Sequence, residues 1–298
     1  MSVRGVSTDR HQMATIYTAL ISETDKVDLS EVAVIAAAIQ KQIARDVFPF
    51  WKIHAFISAF SSLDDLPKGY WPIIIRDDIR SGATGVHCDE LGAPYALVSS
   101  KSPILSKTCS HEALEMITDP TGNYCIDSYS IEESRNSEIV DYLVEICDPC
   151  QAQSYKIDKV EVSNFVTRRY FDKEHIDGVQ YDFLCTFSRP RDLIAGGYLS
   201  WRNSDGDWKQ KYHKRDAYLL GKPPKCFCPL RNWVDRESRK RVGELLKEMN
   251  SDERCSFGRA IGFIDDDYAY ASGIERRNTV AEHVAQLRRS ITRVMSSS

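Results

Sequence analysis

Thr108-Cys109-Ser110-His111-Glu112-Ala113-Leu114-Glu115-Met116-Ile117-Thr118-Asp119-Pro120 reads as one short helix that stops at its proline, because the residue before a proline is pushed out of helical geometry. His111 and Glu115 are four apart, so they project from one face. Glu112 lies next to that face. Ala113, Leu114, Met116 and Ile117 make the rest of the helix apolar, which predicts that it is buried. Buried charges need partners or a metal. A metal held by His111 and Glu115 would have the Glu112 carboxylate beside it, placed to take a proton from bound water. The alternative for such a helix is a solvated polar face.

The segments before the helix set its surroundings. Ala14 to Ser22 is β-branched and apolar and predicts a buried strand. Asp28-Leu29-Ser30-Glu31 offers two N-caps, Asp28 or Ser30. Val32, Ile35, Ala36, Ile39, Ile43 and Val47 then fall on one helical stripe that Pro49 closes. Trp51 to Phe60 alternates as a half-exposed strand; it contains His54, for which a structural role is expected. Tyr70 to Arg76 is a further strand. Gly82 to Ser100 reads as a hairpin or edge segment turning at 89–94. This order belongs to an α+β domain, a mixed sheet with the motif helix packed on it.

Beyond Pro120, Ile139 to Ile146 is a strand-like run carrying Glu145. Short strands are expected within Val160 to Tyr170, Tyr181 to Phe187 and Gly197 to Trp201. Trp201, Trp208 and Tyr212 suggest a hairpin around Asn203-Ser204-Asp205-Gly206. Composition shifts near residue 214, and Lys222-Pro223-Pro224-Lys225 resembles a linker. Two domains are therefore expected, 12–214 holding the metal-binding body and 215–298 a helical extension. In the extension, 234–249 and 279–295 read as basic amphipathic helices, solvated or docking an acidic protein partner. Asp265-Asp266-Asp267 reads as a turn.

Net charge is -4 with a pI near 6.0, so nucleic acid is not an expected partner. No apolar run approaches the ~20 residues that span a membrane. Met1 to Gln12 lacks the apolar core of a signal peptide, and a cytoplasmic protein is expected. The nine cysteines are an odd number and are expected as free thiols. A zinc site joining Cys147 and Cys150 to Cys226 and Cys228 is a further possibility, although C-x-C is poor ligand spacing.

The order of elements up to Asp119 resembles the zincin metallopeptidases, in which an edge strand lines the substrate cleft and an H-E-x-x-H helix follows. Ser110-His111-Glu112 with Glu115 and Asp119-Pro120, and Glu145-Ile146-Cys147-Asp148 downstream, resemble a group of bacterial metallopeptidase-like proteins and the plant EXORDIUM, or phosphate-induced, proteins. The resemblance covers about residues 14 to 210.

It implies His111 and Glu115 as metal ligands and Glu112 as general base or acid. It implies Glu145 as third ligand, with Asp148 and Asp119 as alternatives. Zinc is expected, and because one imidazole with two carboxylates is a harder donor set than H-E-x-x-H provides, manganese, iron or calcium gain ground. The expected function is metal-dependent hydrolysis of a peptide or protein substrate that pairs with the segment Tyr95 to Ser99. Tyr124, Tyr129 or Tyr170 would steady the oxyanion. The alternative is a non-catalytic interaction protein on a degenerate zincin scaffold with a structural ion.

Overall fold

The apolar run after Ala14 forms β1 (Ile16–Ser22). The structure, a computed structural model, describes residues 15–79, 84–90, 93–224 and 230–248. Asp28 caps α1 (Leu29–Lys41) by accepting the Glu31 N–H at 2.9 Å, so of the two candidate caps Asp28 takes the position. Val32, Ile35, Ala36 and Ile39 turn inward along α1. The helix then widens into a π-helical turn, Gln42–Val47, and continues as α2 (Phe48–Trp51). Pro49 therefore does not close the helix. It is the second residue of α2, just after the π-helical turn ends. The chain reverses at Lys52, whose φ is 58°. The strand expected from Trp51 begins only at β2 (Ala55–Phe60), and His54 is exposed, with its ring 4.6 Å from that of Phe48.

β3 (Tyr70–Arg76) buries Ile73, Ile74 and Ile75 in succession, the mark of a strand covered on both faces. β4 (Gly85–Glu90) and β5 (Ala93–Ser99) form the hairpin. The five strands make one sheet in the order β2-β1-β3-β5-β4, in which only β4 runs antiparallel. The edge therefore belongs to Gly85–Glu90. Tyr95 to Ser99, expected to meet substrate, lies inside the sheet; its parallel pairing with β3 is a long-range choice that local alternation cannot reveal.

α3 (Leu105–Thr118) is the motif helix. After it come β6 (Cys125–Tyr129), β7 (Ile139–Leu143), the β8 (Ser154–Ile157) and β9 (Val160–Ser163) hairpin, β10 (Tyr198–Arg202), β11 (Trp208–Tyr212) and β12 (Tyr218–Gly221). A second, antiparallel sheet has the order β12-β11-β10-β7-β6. The result is an α+β fold. α3 lies against β5, β4 and β9, and α1 against β2, β1 and β9. Leu20, Ile39, Ile73, Ile75, Ala113, Leu114, Val144 and Phe165 belong to the core between them.

Tyr181 to Phe187 is not a strand. It folds around buried Asp182, whose Oδ1 accepts the Thr186 and Phe187 N–H groups at 2.7 and 2.8 Å. A carboxylate that gathers the local donors leaves the ladder only one bridge, Val166 to Asp182. The second sheet also crosses the expected division at 214/215, because β12 pairs with β11. α4 (Leu230–Glu248) packs Trp233 and Val234 against Leu143 and Trp208 of that sheet. The helix expected at 279–295, the Asp265-Asp266-Asp267 run, Cys226 and Cys228 lie outside the described residues. Among the described residues no helix is long and apolar enough to cross a membrane.

Candidate metal centre

The serine before His111 fixes how α3 is set. Its Oγ donates to Gln42 Oε1 at 2.6 Å and accepts the Ser163 N–H at 3.0 Å. Gln42 Nε2 in turn donates to the Ser163 carbonyl at 2.8 Å. The π-helical turn, β9 and α3 are thus locked by one buried polar network, which orients a helix face as apolar packing alone does not. On that face Glu112 and Glu115 are buried, while the His111 side chain stays 14% exposed.

β7 continues in extended form past Leu143 and lays Glu145, Cys147 and Asp148 under α3. The Val144 N–H donates to the Tyr124 carbonyl and the Val166 N–H to the Ile146 carbonyl. The Cys147 N–H donates to Glu115 Oε1 at 3.2 Å. Gly197 makes room for the next turn: a Cβ there would stand 2.7 Å from the Pro149 carbonyl carbon. Gly85 does the same on β4, where a Cβ would stand 2.8 Å from Glu112 Cγ.

His111 Nε2 lies 3.4 Å from Glu115 Oε1 and 3.2 Å from Asp148 Oδ1. His87, projecting from β4, places Nδ1 3.5 Å from Glu115 Oε2 and 3.7 Å from Glu112 Oε2. Ligands ~2.0–2.3 Å from a tetrahedral ion stand ~3.3–3.7 Å apart, so these separations fit donors around a cation. Among the described residues two groups gather their donor atoms within 4.8 Å of one another: His111, Glu115 and Cys147, and His87, Glu112 and Glu115. Glu112 Oε2, Asp148 Oδ2 and both His87 ring nitrogens are buried without a hydrogen-bond partner among the described residues. Orphans of this kind ask for an unseen ion or water.

Arg231, in the first turn of α4, enters the cluster from above. Its Nη2 donates to Glu115 Oε2 at 2.7 Å, and Nη1 lies 3.0 Å from Glu145 Oε1. Two hydrogen bonds seat the helix: the Arg231 N–H donates to the Gly122 carbonyl, and the Leu230 N–H to Asn123 Oδ1. Asp119 shapes that receiving loop by accepting the Asn123 and Tyr124 N–H groups at 3.1 and 3.0 Å.

Burial works against every charge here. On Glu115 it is outweighed by His111 and Arg231, which hold the carboxyl well below its usual range. Burial pushes Glu145 well up, against the pull of Arg231, and burial with the Glu115 charge raises Asp148. Burial would depress His111, yet Glu115 and Asp148 carry it well above the ordinary imidazole value. A cation entering would compete with the proton that Glu115 and Asp148 favour on His111, so its binding is linked to pH.

The structure thus gathers His111, Glu112, Glu115, Glu145 and Asp148 in one cluster. Asp148, not Glu145, stands against His111; Glu145 faces Arg231. Asp119 is spent on backbone donors. Tyr170 is buried and gives its hydroxyl to the Asp192 carbonyl at 2.7 Å. Burial first, then Asp148, Glu145 and Asp235, push the Tyr198 hydroxyl well up. His87, Arg231 and Tyr198 were not singled out from the sequence. A histidine in the hairpin just before a metal-motif helix was the available signal for His87; nothing local marks the other two. No protein-family model, no curated protein and no solved structure matches the chain.

Proposed function

We propose that this protein is a metal-dependent hydrolase, a zincin-like peptidase built on an H-E-x-x-E helix. The observation that carries the reading is the contact of His111 Nε2 with Glu115 Oε1 and Asp148 Oδ1 at ligand-to-ligand separations, beside carboxylate oxygens that have no hydrogen-bond partner among the described residues. The sheet supports it, since its one antiparallel strand is the edge strand beside the motif helix, as the resemblance implies.

His111 and Glu115 would hold the ion with Cys147 Sγ, their donor atoms lying within 4.8 Å of one another; Asp148 Oδ1, 3.2 Å from His111 Nε2, offers the second carboxylate, and Glu145 stands behind. Zinc fits an imidazole with two carboxylates, and manganese or iron would also be accepted. A divalent cation bound there supplies a Lewis acid that polarises a carbonyl and acidifies water. Glu112 Oε2 takes the proton and returns it to the leaving amine. Arg231 orients Glu115 through Oε2. The outer edge of β4 offers its backbone to an extended peptide, which adds as a strand.

The test is Glu112→Gln, which keeps shape and removes basicity. The folded variant should keep its metal and lose about two to four orders of magnitude in cleavage of a casein or peptide substrate. Equal cleavage by the variant contradicts the assignment.

One observation favours a second reading, a non-catalytic binding scaffold. Arg231 already pairs with Glu115 and Glu145, as in a structural network. Absence of cleavage with every metal tried would select that reading.

A further inference from the structure

The two carboxylate oxygens of Glu115 face different imidazoles. Oε1 faces His111 and the Cys147 N–H, while Oε2 faces His87 and Arg231. The proposed centre uses only the first side. On the second side stands a histidine that is 1% exposed and whose two ring nitrogens lack hydrogen-bond partners among the described residues. Its neighbour Glu112 Oε2 is buried and equally unpartnered. A neutral imidazole always has one N–H to place, and His87 has only the long approaches of 3.5 and 3.7 Å to Glu115 and Glu112, so a ligand that completes it offsets the cost of its burial.

We propose that His87, Glu112 and Glu115 form a second, weaker seat for a divalent cation, with Glu115 bridging the two seats. This rests on the reading of the cluster as a metal centre. The three donors lie within 4.8 Å of one another, and the His87 Nδ1 separations of 3.5 and 3.7 Å match donors sharing one ion.

Gly85 is what lets the seat exist, because any side chain there would strike Glu112. The seat is the weaker one because Arg231 already donates to Glu115 Oε2, and an ion on that oxygen meets the guanidinium as a like charge. Filling it has a functional consequence. A Glu112 carboxylate tied to a cation cannot accept a proton, so excess metal suppresses the chemistry that the first ion supports.

The experiment is zinc binding to the full chain, by calorimetric titration and by metal analysis at equilibrium with excess zinc. Wild type should take two ions per chain, the second at least about tenfold weaker than the first. His87→Leu should take one, with the tight affinity kept, and His111→Ala should also take one, with only the weak affinity left. Circular dichroism shows which variants are folded; if His87→Leu is not, His87→Gln and the wild-type stoichiometry decide. One ion in wild type, kept by the His87 variant and lost with His111, overturns the second seat and leaves the first standing. No bound zinc at all overturns both. One ion lost with His87 and kept without His111 confirms this seat and removes the proposed one.

Discussion

Asp148 Oδ1 stands 3.2 Å from His111 Nε2, while Asp119, eight residues along the same helix from His111, binds two backbone amides instead. The two aspartates should therefore fail differently. Asp148→Asn should weaken metal binding by about two orders of magnitude, as loss of a metal-site carboxylate does, with a modest effect on the fold. Asp119→Asn should leave metal affinity near wild type and cost about 1–3 kcal/mol in denaturant unfolding, because one of the two backbone donors then faces an amide NH2 instead of an acceptor. Isothermal titration and urea melts separate the two. Equal metal loss in both variants would contradict the placement.

Arg231 should show opposite faces with and without metal. In metal-free protein, Arg231→Met leaves Glu115 and Glu145 without their cation, which should cost about 3–5 kcal/mol. Added zinc should recover much of that loss, because it supplies the missing charge and binds only the folded state. Melting temperatures with and without zinc measure this. A variant that zinc fails to stabilise would contradict a shared role for the two cations.

Asp77 ties the ends of three neighbouring strands together. Its Oδ1 accepts from Ser100 Oγ at 2.6 Å and Thr24 Oγ1 at 2.8 Å, with Lys26 Nζ at 3.0 Å. The Ser100 hydroxyl, then Thr24 and Lys26, hold its carboxyl at about 2, below the ordinary 3.8. A depressed folded value means the contribution is present above the unfolded value and is lost as pH falls toward about 2. Asp77→Asn should be less stable near neutrality and should lose less on acidification. Parallel curves of unfolding midpoint against pH for the two proteins would contradict this.

Cys109, Cys147 and Cys150 are buried free thiols, Cys125 is half-buried, and Cys185 is exposed. Burial pushes the first three thiols well up and Cys125 to about 12, so little thiolate exists near neutral pH. Alkylation mapped by mass spectrometry should label Cys185 first, and Cys109, Cys147 and Cys150 only on unfolding. Early labelling of Cys109 would contradict its placement.

What the sequence made legible was local. The 3.6 period of Val32 to Ile39 and the period of the motif helix depend on neighbours a few residues apart, and both helices stand as α1 and α3. The His111 and Glu115 face follows from that period alone. What it hid was set by distant pairing. Which arm of the hairpin is outermost depends on β5 pairing with β3. Whether Glu145 or Asp148 reaches His111 depends on where extended chain ends and the turn at Asp148 begins, a shift of three residues. Arg231 joins Glu115 across 116 positions, and the basic pattern of its helix reads as a solvated face until the carboxylates beneath are seen. Tyr181 to Phe187 looked like a strand because apolar residues alternate there, but Asp182 captures the backbone donors first.

The most direct test of a metal centre on the motif helix is its metal content. Wild type and His111→Ala are loaded with zinc, dialysed against metal-free buffer until only tightly held ions remain, and measured by elemental analysis. One ion should stay on each wild-type chain and none on His111→Ala, whose melting temperature should also stop responding to zinc at tight-site concentrations. Equal zinc in both proteins, or none in wild type, would contradict the account.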